Sequence, residues 1–148
     1  MLTAKYHKKL PLSIIKRCPD LLVKRTSDYM RTSEEESVWF SFSNDEGKCV
    51  GAVNLQWEEF KFIDGIPLWR IYIALFEICE DCRGNGYGGE AVKWLEALPV
   101  YEIDLNHMCE EDDGGKSKRF WEHMGWRNEN RFTSSMMKTI NRKQKKRH

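Results

Sequence analysis

What the chain lacks narrows it before anything it contains. No run of 18 or more apolar residues occurs in its 148 residues, so no segment reads as a membrane-spanning helix. The opening residues, Met1 to Lys9, include Lys5, His7, Lys8 and Lys9 and lack the apolar core of a secretory signal. No internal repeat is visible, which sets repeat architectures aside. Neither sign of charge dominates: 24 Lys and Arg face 23 Asp and Glu. The five cysteines (18, 49, 79, 82 and 109) are an odd number in a chain long enough to bury a core without staples, so reduced thiols in a cytoplasmic protein are expected. Cys79-Glu80-Asp81-Cys82 is a CxxC, but it has no second pair and no histidines at ligand spacing, and it does not open a βαβ unit. No metal site is therefore expected.

The near-balance of charge hides an asymmetry. Residues 138–148 hold Lys138, Arg142, Lys143, Lys145, Lys146 and Arg147 and no acid, which leaves the rest of the chain at −5. Hydrophobic content of 41% and aromatic content of 12% are those of a globular domain. The expected organisation is one domain over 1–137 and a basic, disordered tail over 138–148. Such a tail can hold phosphate, but six charges bind nucleic acid weakly and without sequence preference at physiological salt.

Along the chain, Leu10 to Thr32 reads as one or two short helices, with Pro11 and Pro19 near their starts. Val38–Phe42 reads as a strand, Asn44–Lys48 as a turn and Cys49–Trp57 as the return strand of a hairpin. Phe60–Pro67 carries an Asp64-Gly65 turn signal, and Leu68–Ile78 is a longer strand. Ala91, Val92, Leu95 and Leu98 fall at helical spacing before Pro99, and Val100–Leu105 alternates as a strand. A short helical crossover would set that strand parallel to the one before it. Lys116–Met124 is helical with Gly125 as its stop, and Trp126 with Arg131–Ile140 completes the sheet. The six tryptophans sit at strand and helix spacing and are read as core.

Between the long strand and the helix stands Arg83-Gly84-Asn85-Gly86-Tyr87-Gly88-Gly89. Glycines at 84, 86, 88 and 89 leave backbone N–H groups free to converge on one ligand, at the positive end of a helix dipole. The ligand therefore carries phosphate. Gly84-x-Gly86-x-x-Gly89 also matches the dinucleotide pattern, but that pattern belongs to the first turn of a parallel sheet, with an acid about 20 residues on. Here it follows a meander, and Asp104 is the nearest acid at a strand end.

Arg83-Gly84-Asn85-Gly86-Tyr87-Gly88 fits R/Q-x-x-G-x-G/A, and Phe120-Trp121-Glu122-His123-Met124-Gly125-Trp126 fits an aromatic-Tyr-Glu-x-apolar-Gly-aromatic landmark. With these two segments, about residues 35–135 resemble the GNAT (GCN5-related) N-acetyltransferases. The resemblance implies an α+β (mixed α/β) fold: a mostly antiparallel central sheet with a splayed parallel strand pair and flanking helices. It implies acetyl-CoA as co-substrate, its pyrophosphate on Arg83, Gly84, Asn85, Gly86, Tyr87, Gly88 and Gly89, and its pantetheine arm along the backbone of Phe76 and Ile78. Trp121 would lie at the cofactor's sulfur.

Trp121 is also where the sequence departs from the family. Many relatives have a tyrosine there that protonates the departing thiolate, and an indole N–H is no practical acid. A neighbour such as Tyr72, Tyr101 or a water would have to substitute. The base is equally open. The position used by the histone-type branch holds Tyr72, so the candidates are Asp104, His107, Glu77 and Tyr72, with Asp104 read as facing opposite Ile103 and Leu105. The oxyanion donor would be a backbone N–H near Ile78. Glu110-Glu111-Asp112-Asp113 suits a cationic acceptor, or is a solvated loop. The expected reaction is acetyl transfer to a primary amine of a protein, peptide or small molecule, by a monomer or homodimer. The alternatives are a toxin-like or RNA-associated acetyltransferase, with nucleic acid held by the tail, and a degenerate module that binds CoA or a partner without turnover.

Overall fold

The computed structural model describes residues 1–18, 37–106, 114–128 and 135–139. Their elements are β1 (Thr3–His7), α1 (Leu12–Ile15), β2 (Ser37–Ser43), β3 (Cys49–Ile63), β4 (Ile66–Ile78), a 3-10 turn (Glu80–Cys82), α2 (Tyr87–Glu96), β5 (Val100–Asn106), α3 (Lys116–His123), β6 (Arg127–Asn128) and β7 (Ser135–Thr139). The class is mixed α+β, with mostly antiparallel strands and a parallel β4–β5 pair, as the order of elements in the sequence leads one to expect. The chain divides into two compact units, Met1–Gln56 with Ile73–Leu95, and Trp57–Tyr72 with Glu96–His148.

In the first unit the strand order is β1-β2-β3-β4. β2 runs antiparallel to β3 from Ser37 opposite Gln56 to Ser43 opposite Cys49, with a bulge between Phe42 and Ser43. That register puts Phe40 opposite Val53 and Phe42 opposite Gly51, and the Trp94 ring of α2 covers the pair at 5.0 and 5.3 Å. Residues three apart on α2, such as Val92 and Leu95, are buried on the same side, as the helical spacing predicts. β1 is an element the sequence does not announce. Thr-Ala-Lys-Tyr-His is mostly exposed and its alternation of Ala4 and Tyr6 with polar residues is short and weak; β1 is held by backbone pairing to β2, from Thr3 opposite Ser43 to His7 opposite Trp39. The His7 ring adds a 2.7 Å contact between Nε2 and Ser41 Oγ. Gly51 answers to a close approach: a Cβ there would stand 2.7 Å from the Glu77 carbonyl oxygen and 3.0 Å from Ile78 Cδ1.

In the second unit the order is β3-β4-β5-β7-β6. Asp64 and Gly65, with φ of 52° and 79°, turn β3 into β4 as the Asp-Gly signal requires. β5 pairs antiparallel with β7, from Glu102 opposite Thr139 to Asn106 opposite Ser135. α3 stops at Gly125, whose φ of 89° lets the Trp126 N–H reach back to the Trp121 carbonyl at 2.9 Å. Trp126 is thereby fully buried against Trp121, rings 5.0 Å apart, and donates Nε1–H to Glu96 at 3.3 Å. The expected boundary between domain and tail shifts here. Lys138 and Thr139 lie in β7, because Lys138 has a partner: its Nζ meets Glu96 Oε1 at 2.9 Å. Residues 140–148 lie outside the described residues.

Candidate functional site

The glycine loop grows from the end of β4. Cys79 pairs its N–H with the Val50 carbonyl at 2.7 Å, after which the 3-10 turn lifts the chain out of the sheet and α2 begins at Tyr87. Gly84 and Gly86 have φ of 83° and 80°, and a Cβ added to either would meet nothing within 4 Å. The left-handed backbone favours glycine there, and the open side is free for a ligand. The amides at the start of α2 precede the first intrahelical acceptors, since the Glu90 N–H is the one that reaches the Gly86 carbonyl at 3.3 Å. These residues fit a diphosphate: open glycines, donors without helical partners and the positive helix end. Asn85 holds the loop from inside, donating Nδ2–H to the Cys82 carbonyl at 3.0 Å, while Asn44 Nδ2 donates to the Tyr87 hydroxyl at 3.3 Å.

Arg83 behaves differently from its expected place at the mouth of the loop. Its Nε–H donates to the Ile78 carbonyl at 3.1 Å and its Nη2 meets Glu77 Oε2 at 2.9 Å. Glu77, a candidate base, is therefore a buried partner of Arg83, and the Ile78 carbonyl already accepts a hydrogen bond from a side chain. Phe76 and Ile78 themselves are half-buried.

In the second unit, Asp104 is buried together with Ile103 and Leu105, so both faces of β5 are covered at this point. Arg70 Nη2 stands 3.6 Å from Asp104 Oδ2, and Arg70 Nε stands 3.1 Å from Glu102 Oε1 and 3.9 Å from Glu58 Oε1. Burial works to lower the Arg70 guanidinium, but attraction to Asp104, Glu102 and Glu58 outweighs it and holds the cation firmly charged. Arg70 was the residue missed in the sequence. Its signal was there, as the single charge inside Leu68-Trp69-Arg70-Ile71-Tyr72. Tyr72 is buried, while the Tyr101 hydroxyl is raised by burial and then by Glu59. His107, Cys109 and the acidic run 110–113 lie outside the described residues. Trp121 is 5% exposed and packs edge-on against Phe120 and Trp126.

Among the described cysteines, Cys49, Cys79 and Cys82 are poor nucleophiles. Cys18 and Cys79 are buried with their sulfurs 3.5 Å apart, and the hydrogen bond from Cys18, with burial, pushes the Cys79 thiol up to about 12. The bond to Cys79, then burial, raises Cys49 as well. Thiols held neutral in this way do not attack electrophiles at neutral pH.

The family model described as "Acetyltransferase (GNAT) family" matches residues 9–126. No curated protein sequence matches the chain. Among solved structures it resembles the KacTA–DNA complex, with 13% identity over 98% of this chain and 97% of that one and a TM-score of 0.63. It also resembles a mutant AtaT toxin bound to the C-terminus of the antitoxin AtaR and acetyl-CoA, with 10% identity, 95% and 94% coverage and a TM-score of 0.61. A third is the spermidine/spermine N-acetyltransferase SpeG from Vibrio cholerae in complex with manganese ions, with 12% identity, 99% and 97% coverage and a TM-score of 0.57. At these identities the likeness shows the fold. No helix among the described residues is long and apolar enough to cross a membrane.

Proposed function

The chain belongs to the GNAT acetyltransferase family, whose members use acetyl-CoA, and from that premise we propose that it is a cytoplasmic N-acetyltransferase acting on a primary amine of a cationic acceptor. The observation that carries the proposal is the loop of Gly84 and Gly86, open on its outer side and leading straight into α2. Acetyl-CoA supplies the acetyl group already activated as a thioester. Gly84 to Gly89 bind its diphosphate through backbone amides, and the β4 backbone at Phe76 and Ile78 orients the pantetheine arm. For that arm to use the Ile78 carbonyl, the Arg83 side chain has to yield it. Asp104 takes the proton of the incoming amine, directly or through water, which an amine with a pKa near 10 needs before it can attack. Glu77, Tyr72 and His107 are the alternatives at this step. With Trp121 in the tyrosine position, the proton for the departing thiolate comes from water or another hydroxyl.

A second reading, a module that binds CoA without turnover, draws on that same Trp121 and on its burial. A toxin-like acetyltransferase is the other acceptor class, and it draws on the fold shared with AtaT. Thermal shift with acetyl-CoA followed by thiol release over a panel of amines tests them in order. Acetyl-CoA should raise the melting temperature, and Gly86→Glu should abolish the rise by placing a carboxylate in the phosphate cradle. No shift in the parent protein would sink the whole reading. A shift without thiol release from any amine or aminoacyl-tRNA would leave the binding module.

A further inference from the structure

Between Gly84 and Gly89 two residues carry side chains, Asn85 and Tyr87, and both fasten the loop to the rest of the chain. Glycine backbone supplies no stiffness of its own, so amides that are to meet a diphosphate at small entropic cost must be fixed from outside. Asn85 fastens locally, its Nδ2 donating to the Cys82 carbonyl at 3.0 Å and to the Arg83 carbonyl at 3.4 Å. Tyr87, the first residue of α2, is fastened from a different element: Asn44, 43 positions earlier in the turn between β2 and β3, donates Nδ2–H to its hydroxyl at 3.3 Å. The turn sets the polarity of that bond. Asn44 Oδ1 accepts the N–H groups of Glu46 and Lys48, each at 3.0 Å, and backbone amides only donate, so the NH2 end is the one left for Tyr87. Aspartate or serine would also serve such a turn; the amide adds a donor that reaches out of it. The same turn meets the chain ahead of the loop, where Lys48 Nζ stands 3.4 Å from Asp81 Oδ2, although that exposed ion pair is worth little.

We propose that Asn44 is a positioning residue of the diphosphate loop, fixing the start of α2 through Tyr87 so that the amides of Gly86 to Gly89 are held in place before the ligand arrives. This role rests on the reading of the loop as a diphosphate site given above, and adds to it the element that steadies the loop. Asn44 acts through Tyr87 and needs no contact with the cofactor. Coupling of this kind is reciprocal: where the turn steadies the loop for acetyl-CoA, bound acetyl-CoA steadies the turn. The Glu46 and Lys48 amides, bonded to Asn44 Oδ1, are placed to report it.

The test needs no acceptor. Tyr87→Phe keeps the ring and removes the hydroxyl, and the dissociation constant of acetyl-CoA, read by titration calorimetry, should rise about three- to tenfold, the worth of one neutral hydrogen bond. Asn44→Ser leaves an oxygen for the turn but cannot reach Tyr87, and should weaken binding as well. Because both changes remove one bond, the double variant should lose less than the product of the two single factors. Unchanged affinity in Tyr87→Phe, or losses that multiply in full, overturns the proposal. If Asn44→Ser does not fold, amide hydrogen exchange in the parent and in Tyr87→Phe decides. Saturating acetyl-CoA should slow exchange at Glu46 and Lys48 by about threefold or more in the parent and leave it unchanged in Tyr87→Phe, a difference that a general loss of stability would not give. Equal slowing in both proteins, or none in a parent that binds acetyl-CoA, overturns the role of Asn44 and leaves the acetyltransferase reading standing. A parent that does not bind acetyl-CoA overturns that reading itself, and the role of Asn44 with it.

Discussion

Replacing Gly51 by alanine tests how tightly β3 and β4 are drawn together just below the cofactor loop. The added Cβ would stand 2.7 Å from the Glu77 carbonyl oxygen, closer than such contacts come in folded proteins, with Ile78 Cδ1 at 3.0 Å and Ile78 Cα at 3.3 Å on the same side. The obstacle is backbone, and the adjoining Cys79-to-Val50 hydrogen bond of 2.7 Å holds it in place, so no side-chain rotation relieves the clash. Overpacking of this kind costs roughly 1–3 kcal/mol. Against it stands the smaller entropy of the unfolded alanine chain, about 0.4–1 kcal/mol. The clash wins by about 1–2 kcal/mol, which for a domain of this size lowers the melting temperature by roughly 2–8 °C. The strands forced apart carry the Glu77–Arg83 pair, so the acetyl-CoA thermal shift should shrink as well. Gly47→Ala is the control: its φ of 81° strains alanine, but no atom lies within 4 Å, so stability should fall while the acetyl-CoA shift stays unchanged. Thermal and urea unfolding of both variants give the answer. A Gly51→Ala protein as stable as the parent would refute the close approach.

Two further outcomes follow from packing and charge. Trp126→Phe removes the Nε1–H bond to Glu96 and part of a fully buried indole, so urea unfolding should show a loss of roughly 2–4 kcal/mol. Combined with Lys138→Met, which takes away the other partner of the same carboxylate oxygen, the loss should depart from the sum of the single losses by about 0.5 kcal/mol or more. The second concerns alkaline pH. The Cys79 thiol ionises near its ordinary value of 9.0 when unfolded and at about 12 when folded, so the unfolded chain gives up its proton first. The stability this group confers is complete below about pH 9 and is lost as pH rises from there towards 12. Melting temperatures measured across that window should fall, and Cys79→Ala should flatten the slope; a parent protein indifferent to pH there would contradict the assignment.

Local chemistry was enough for the sequence to declare most of the backbone and the glycine-rich loop between β4 and α2. Asp64-Gly65 could turn one way, Gly125 could end α3, and alternating or helically spaced apolar residues marked β2, β4, α2 and β5 before any contact was known. The glycines at 84 and 86 belong to the same class, because a left-handed backbone with an open side favours glycine whatever surrounds it. Tertiary structure alone decided the elements and partners that depend on distant residues. β1 pairs along the edge that β2 offers, and the short alternation in Thr-Ala-Lys-Tyr-His is too weak to declare a strand by itself. Lys138 joined β7 instead of a tail because Glu96, 42 positions away, receives it. The candidate carboxylates changed most. In the sequence Glu77 and Asp104 are acids in or near strands, with nothing to distinguish base from structural charge. In the fold each is buried and faces a guanidinium, Arg83 at 2.9 Å and Arg70 at 3.6 Å. Side-chain charge acts across space and spacing along the chain does not encode it, so the glycine loop could be read from one stretch while the partners of the acids had to wait for the strands to be laid side by side.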